Sequence, residues 1–247
     1  MNLPGTITKA YQDELFNIIN KPDELPDALK ANPKWGMRFV FNNLKVVSEI
    51  DEIEREINAV LNRLGVSIDT LLIKSYSIEE LVIGVKHYLI AWSTMKDLMA
   101  NLINTSLDLG IHENDISFGM ILRNEKVKKT NIPKICSKHS KAIDVSYTDK
   151  QRNDAIHRGK LLDDEINEYR SRYNSLYASR YSLLNTTPIT DNELKDGLKE
   201  LNAELVKLVK IKKEEYTAHF LRTLDLNKEL AILLAQVSAQ NLNNEKI

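Results

Sequence analysis

Residues 77–110 read SIEELVIGVKHYLIAWSTMKDLMANLINTSLDLG, and this stretch decides the fold. It opens on Ser77-Ile78-Glu79-Glu80, a capping box: the serine hydroxyl can accept from the third helical N–H while Glu80 reaches back. Leu81, Val85, Leu89, Trp92, Met99, Leu102 and Ile103 follow at helical spacing and cover much of the circumference. A helix that apolar must be enclosed by others, so it is expected at the centre of a bundle. It should run to Leu109, with Gly110 taking the left-handed position beyond its end. Lys86 cuts the run LVIGVKHYLIAW, and no segment of the chain approaches the ~18 apolar residues of a membrane span.

Working outward, Phe39, Val40, Leu44, Val47, Ile50, Ile53, Ile57, Val60, Leu61 and Leu64 recur at helical spacing, and Gly65 is expected to end that run. Pro4, Pro22, Pro26 and Pro33 crowd the first 33 residues. Residues 1–35 therefore read as an arm holding one short helix, Ile7 to Asn20, and 36–247 as the bundle domain. Beyond Gly110 periodicity fades. A short helix over Ile116–Arg123 and then a basic loop containing Pro133 are expected. Thr148-Asp149-Lys150-Gln151 is a second capping box and starts a helix to about Leu184. Thr190-Asp191-Asn192-Glu193 is a third, after the turn NTTP. Leu194, Leu198, Leu201, Leu205 and Leu208 then form a narrow seam. A single rod from Asp191 to Gln240 would be about 75 Å long, so a bend or break is expected near Thr223–Asn227. The fold class is all-α, an up-down bundle of four or five main helices.

Composition closes off several alternatives. Eight glycines and six prolines in 247 residues are less than half the usual ~7% and ~5%, too few for the corners of a sandwich or barrel. No G-x-G-x-x-G or G-x-x-x-x-G-K is present to cradle a dinucleotide or a nucleoside triphosphate. The single cysteine, Cys136, leaves no disulfide framework and no multi-thiolate zinc site, and it suits a reducing, cytoplasmic setting. The opening MNLPGTITKAYQDELF lacks the basic-then-apolar pattern of an export signal. No cofactor, metal or membrane partner is expected.

The net charge of −1 hides an asymmetry. Residues 121–160 carry eleven Lys/Arg against four Asp/Glu, a local +7 that suits an anionic ligand. Within this zone lies Arg152-Asn153-Asp154-Ala155-Ile156-His157-Arg158-Gly159. RNA can be cut without a metal when a base takes the 2′-OH proton, an acid protonates the leaving 5′-oxygen, and positive charge meets the phosphorane. Histidine titrates near neutrality, which suits His157 for the proton work. Arginine stays charged and grips phosphate as a fork, which suits Arg152. On one helix these two diverge by roughly 140° and sit ~7.5 Å apart along the axis, so a single helix closes a site from both only with difficulty. Asn153 and His157, at i and i+4, share a face, so Asn153 could orient the ring or touch a phosphate. Arg123, Lys126, Lys128, Lys129, Lys134, Lys138, Lys141 and Arg158 are candidates to track the RNA backbone.

This motif resembles the R-x4-6-H signature of the HEPN superfamily (higher eukaryotes and prokaryotes nucleotide-binding), in which a polar residue usually follows the arginine. Asn153 fills that place, and Ala155 and Gly159 match the small residues of its RNxxAHxG-like versions. Gly159 also stands where some toxin branches carry tyrosine. The resemblance implies a helical bundle, metal-independent endoribonuclease activity on single-stranded RNA, and a homodimer built on the motif helix. A role in prokaryotic defence and a regulatory or antitoxin partner are further implications.

Two other functions compete: a HEPN-derived RNA- or nucleotide-binding module without catalysis, and a helical interaction scaffold using the 194–208 seam. Weaker features have plainer readings. Tyr147, Tyr169, Tyr173 and Tyr177 could stack on bases, but their spacing suits core packing. His112-Glu113-Asn114-Asp115 reads as a loop or helix cap, since it lacks the second histidine of H-E-x-x-H. His87 reads as a histidine satisfied in the core.

Overall fold

A computed structural model of the chain describes residues 5–19, 33–71, 78–140, 153, 163–181 and 188–244. Among these residues there are eight α-helices and no strand. We label them α1 (Thr6–Ile19), α2 (Pro33–Leu71), α3 (Ile78–Ser106), α4 (Phe118–Arg123), α5 (Glu125–Lys128), α6 (Ile132–Ser140), α7 (Asp164–Arg180) and α8 (Asp191–Asn244). The all-α class read from the sequence is the observed one. Leu81, Val85, Leu89, Trp92, Met99, Leu102 and Ile103 of α3 are all 1% exposed or less.

The chain forms two compact units, and α2, α3 and α8 contribute residues to both. The first comprises Met1–Asn58, Ala91–Val145 and His219–Ile247. Here α1 buries Ile7, Tyr11 and Leu15, one face at i, i+4 and i+8. The Tyr11 hydroxyl is 3.0 Å from Ser238 Oγ, and the Thr8 hydroxyl donates to the Val47 carbonyl. Glu54, buried in mid-α2, accepts from the Thr6 N–H and so caps α1 from another helix. Burial pushes the Glu54 carboxyl up from its ordinary value, although the Thr6 hydrogen bonds oppose this.

The second unit comprises Ala59–Ile90 and Ser146–Ala218. Leu194, Leu201, Leu205 and Leu208 are buried, and Leu198 is half-buried, so the leucine seam belongs to this chain's own core. A Cβ on Gly84 would come within 2.8 Å of Leu64 Cδ2, which marks how closely α2 and α3 approach. The third capping box forms as read: Glu193 N donates to the Thr190 hydroxyl oxygen, and Thr190 N donates to Glu193 Oε2 at 2.7 Å. The Thr190 N–H, and the Thr190 hydroxyl that also donates to Glu193 Oε2 at 2.8 Å, hold the Glu193 carboxyl below its ordinary value.

Five boundaries differ from expectation. The α2 helix continues through Gly65 to Leu71, since an interior glycine costs only about 1 kcal/mol and stops nothing by itself. The α3 helix ends at Ser106, because Asp108 already adopts φ 45, ahead of Gly110 at φ 70. The basic stretch after Arg123 is helical, not a loop. Asn124 caps α5, and Pro133 falls in the first turn of α6, where its missing N–H costs nothing. The helix expected from Thr148 to Leu184 is interrupted. Asp163 has extended dihedrals and accepts from Ile166 N, capping a fresh start for α7, which ends at Arg180. Finally, α8 is unbroken through Thr223–Asn227. The Thr223 hydroxyl bonds back to the His219 carbonyl and accepts from Trp92 Nε1 at 3.0 Å, which satisfies it inside a continuous helix. The capping boxes at Ser77 and Thr148 begin outside the described residues.

Candidate nucleic-acid interface

The basic zone is built on small helices pinned by single apolar residues. Ile121 of α4, Val127 of α5 and Ile132 of α6 are fully buried, one anchor for each short helix. Ser117 caps α4 by accepting from Met120 N, and Asn124 caps α5 by accepting from Lys126 N. The Thr130 hydroxyl accepts from Ile132 N at the start of α6. With apolar residues turned inward, Arg123, Lys126, Lys128, Lys129, Lys134 and Lys138 are all exposed. Six of the eight basic candidates are thus exposed residues of the first unit.

These cations are not equivalent. Lys128 pairs with Glu125 at 2.6 Å, and Lys138 pairs with Glu229 of α8 at 2.5 Å. The Lys138 hydrogen bond, joined by His139 at 3.3 Å, holds the Glu229 carboxyl below its ordinary value. The Lys126 ammonium donates to the Asp108 carbonyl at 3.1 Å. Among the described residues, no ion pair or side-chain hydrogen bond involves Arg123, Lys129 or Lys134. The local +7 is therefore partly cancelled by an acid distant in sequence. The charge left for an anion is that of Arg123, Lys129 and Lys134, together with Lys126, whose bond to a neutral carbonyl leaves its charge in place.

Of the motif, Asn153 is described: it is helical and exposed. Arg152, His157, Arg158 and Lys141 lie outside the described residues, as does Tyr147. Asn153 belongs to the second unit and the basic helices to the first.

Sequence reasoning missed the ion cluster that follows the motif. Lys212 of α8 places Nζ 2.8 Å from Asp163 Oδ2, 2.8 Å from Glu165 Oε2 and 3.3 Å from Glu215 Oε2. Burial disfavours the ammonium, but hydrogen bonds to Asp163 and Glu165 outweigh it, and the net shift is upward. The cluster fixes the first turn of α7, six residues after His157. The acidic run Asp163-Asp164-Glu165 was its only sequence signal, a helix start by composition.

The weaker candidates resolve plainly. Tyr169 is buried, and the rings of Tyr173 and Tyr177 lie 4.9 Å apart, as expected of packing. Tyr177 beside it raises the Tyr173 phenol to about 12. His112 caps a short 3-10 turn, its Nδ1 accepting from Asn114 N. Contrary to expectation, His87 is exposed, on the outer face of α3. Burial raises the Cys136 thiol to about 11, which keeps it protonated and unreactive at neutral pH. No group of three potential ligands gathers as a metal site among the described residues, and no described helix is long and apolar enough to cross a membrane.

Against known proteins, a family model described as HEPN_Cthe2314-like HEPN matches residues 45–213. No curated protein and no solved structure gives a match.

Proposed function

Because the chain belongs to the Cthe2314-like HEPN family, we propose that it is a metal-independent endoribonuclease acting on single-stranded RNA. HEPN domains serve nucleotide- and RNA-related functions, commonly as ribonucleases. The observation that carries the finer reading is Arg152-Asn153-x3-His157 lying inside the matched span. His157 takes the proton of a 2′-OH, whose oxygen attacks the adjacent phosphorus. Arg152 steadies the charge gathering on the phosphorane oxygens. The 5′-oxygen then leaves with a proton returned by the His157 imidazolium, giving a 2′,3′-cyclic phosphate and a 5′-OH end. Asn153, exposed on its helix, contacts a phosphate or orients the imidazole.

The basic helices α4–α6 supply affinity for the RNA backbone and the motif supplies chemistry. The scaffold alternative loses its surface, because the leucine seam is buried. The test is cleavage of single-stranded RNA in EDTA by protein free of contaminating ribonuclease. Arg152→Ala and His157→Ala should each abolish turnover with helicity and melting temperature nearly unchanged, and Asn153→Ala should be milder. Near-wild-type cleavage by either alanine variant would sink the assignment. Salt-sensitive RNA binding without any cleavage would select the non-catalytic binding module.

A further inference from the structure

Apart from the motif, the first unit contains a cavity of about 280 Å³ between the start of α2 and the turn after α3. That lies just under the ~300–1,000 Å³ typical of small-ligand clefts, a size for one nucleotide and not for an extended chain. Its α2 wall is Trp35, Arg38, Phe39 and Asn42, at i, i+3, i+4 and i+7 on one helical face. The Trp35 and Phe39 rings stack at 5.1 Å with an interplanar angle of 19°. All four residues precede residue 45, so this wall lies outside the family match.

The polar groups around the cavity divide into committed and uncommitted. The Asn104 amide is spent at both ends, donating to Ile111 O and accepting from Ile111 N. The Thr105 hydroxyl is shared between Asn43 and its own helix. In contrast, the side chains of Arg38, Asn42 and Asp108 hold no hydrogen bond or ion pair among the described residues. A flat aromatic pair flanked by a guanidinium, an amide and a carboxylate matches how unpaired RNA bases are held: stacked, and read along the Watson–Crick edge.

We propose that this cavity binds one unpaired guanine nucleotide of an RNA. Guanine presents two adjacent N–H donors on its Watson–Crick edge, which one carboxylate accepts together; adenine does not. Asp108 supplies that carboxylate, Trp35 the stacking surface, and Arg38 the partner for the nucleotide phosphate. Lys126 of α5 donates to the Asp108 carbonyl and so ties the basic helices to the pocket wall. A strand held on α4–α6 can thus seat a base here.

This inference rests on the RNA reading above, but its test is independent of cleavage. The chain has two tryptophans, and Trp92 is 1% exposed, so Trp35 is the accessible fluorophore. GMP should quench its emission saturably, and Trp35→Phe should remove the response. AMP should bind at least tenfold more weakly, as one lost bidentate contact implies. Asp108→Asn should erase that preference while folding normally, since asparagine tolerates φ 45 well. Absence of saturable quenching by millimolar GMP would overturn the proposal. So would equal affinity for GMP and AMP, or a guanine preference that survives Asp108→Asn. If wild-type protein fails to cut RNA yet GMP quenches Trp35, the ribonuclease reading falls and the pocket stands. If RNA is cut and GMP does not quench, the pocket falls alone.

Discussion

Lys212 Nζ lies 2.8 Å from Asp163 Oδ2 in the second unit, with side chains 7% and 4% exposed. Removing one partner of such a pair leaves the other charge buried and unpaired, the costly half of a buried salt bridge. Glu165 and Glu215, both about half exposed, share the load on the lysine. Lys212→Met should therefore cost about 3 kcal/mol in denaturant unfolding, at the low end for a buried pair. Adding Asp163→Asn should return part of that loss, because asparagine still caps α7. The lysine pKa is raised in the fold, so its contribution is fully present below its ordinary 10.5 and lost only as pH climbs above that value. A loss already visible between pH 7 and 9 would contradict this.

Glu54 poses the opposite case. Its Oε1 caps α1 through Thr6 N, whereas its Oε2 and the nearby Asp51 Oδ1 are buried without a hydrogen-bond partner among the described residues. Burial raises the Glu54 pKa, so the folded state binds the proton more tightly than the unfolded chain does. Stability attributable to this group should rise as pH falls from neutrality through the folded pKa toward the ordinary 4.5. Glu54→Gln keeps an acceptor for Thr6 and removes the buried charge. It should stabilise the protein at pH 7 by about 1 kcal/mol, with the gain shrinking toward pH 5. A destabilised Gln variant would show that the ionised carboxylate is the better cap.

Salt dependence should separate the basic residues into two classes. Each phosphate contact on a single strand contributes about 0.7 to the slope of log affinity against log salt. Replacing Arg123, Lys129 and Lys134 together with Gln should flatten that slope by about 2. Lys128→Gln and Lys138→Gln should change it far less, because Glu125 and Glu229 already neutralise those ammonium groups. Single-turnover cleavage at saturating RNA should barely move in either set. Equal flattening by both sets would show that RNA displaces the carboxylates.

These contrasts also show what the sequence could and could not reveal. Features set by neighbouring residues were legible: the Thr190–Glu193 capping box forms atom for atom, and the apolar run of α3 is buried as read. Features set by distant residues were not. Glu229 reaches Lys138 across 91 positions, so a local charge count overstates the basic surface. Rod length alone predicts a break in α8, whereas Trp92 satisfies Thr223 across 131 positions within a continuous helix. Asp163 looked like one more polar residue in a long helix, and only Lys212 makes it a buried cap. His87 misled for a related reason: an apolar helix still keeps one wet face.

The last prediction concerns the active unit, which we expect to be a homodimer with two Arg152–His157 segments facing across a twofold axis. HEPN domains often form dimers, and the geometry of one helix gives a separate reason. On an ideal helix, five residues turn two side chains roughly 140° apart and separate them by ~7.5 Å along the axis, which is the sequence expectation for Arg152 and His157. In a symmetric interface residue i of one protomer meets residue j of its partner, so Arg152 of each can complement His157 of the other. The two arginines would repel each other, a cost offset in part by Asp154 and by the bound phosphate. Mixing inactive Arg152→Ala and His157→Ala proteins under subunit exchange should restore part of the activity. In each heterodimer one composite site carries an intact Arg152 and an intact His157, while the other carries neither. Activity should therefore peak at equal mixing and vanish toward either pure variant. A protein that stays monomeric at assay concentration and still cuts RNA would rule this arrangement out.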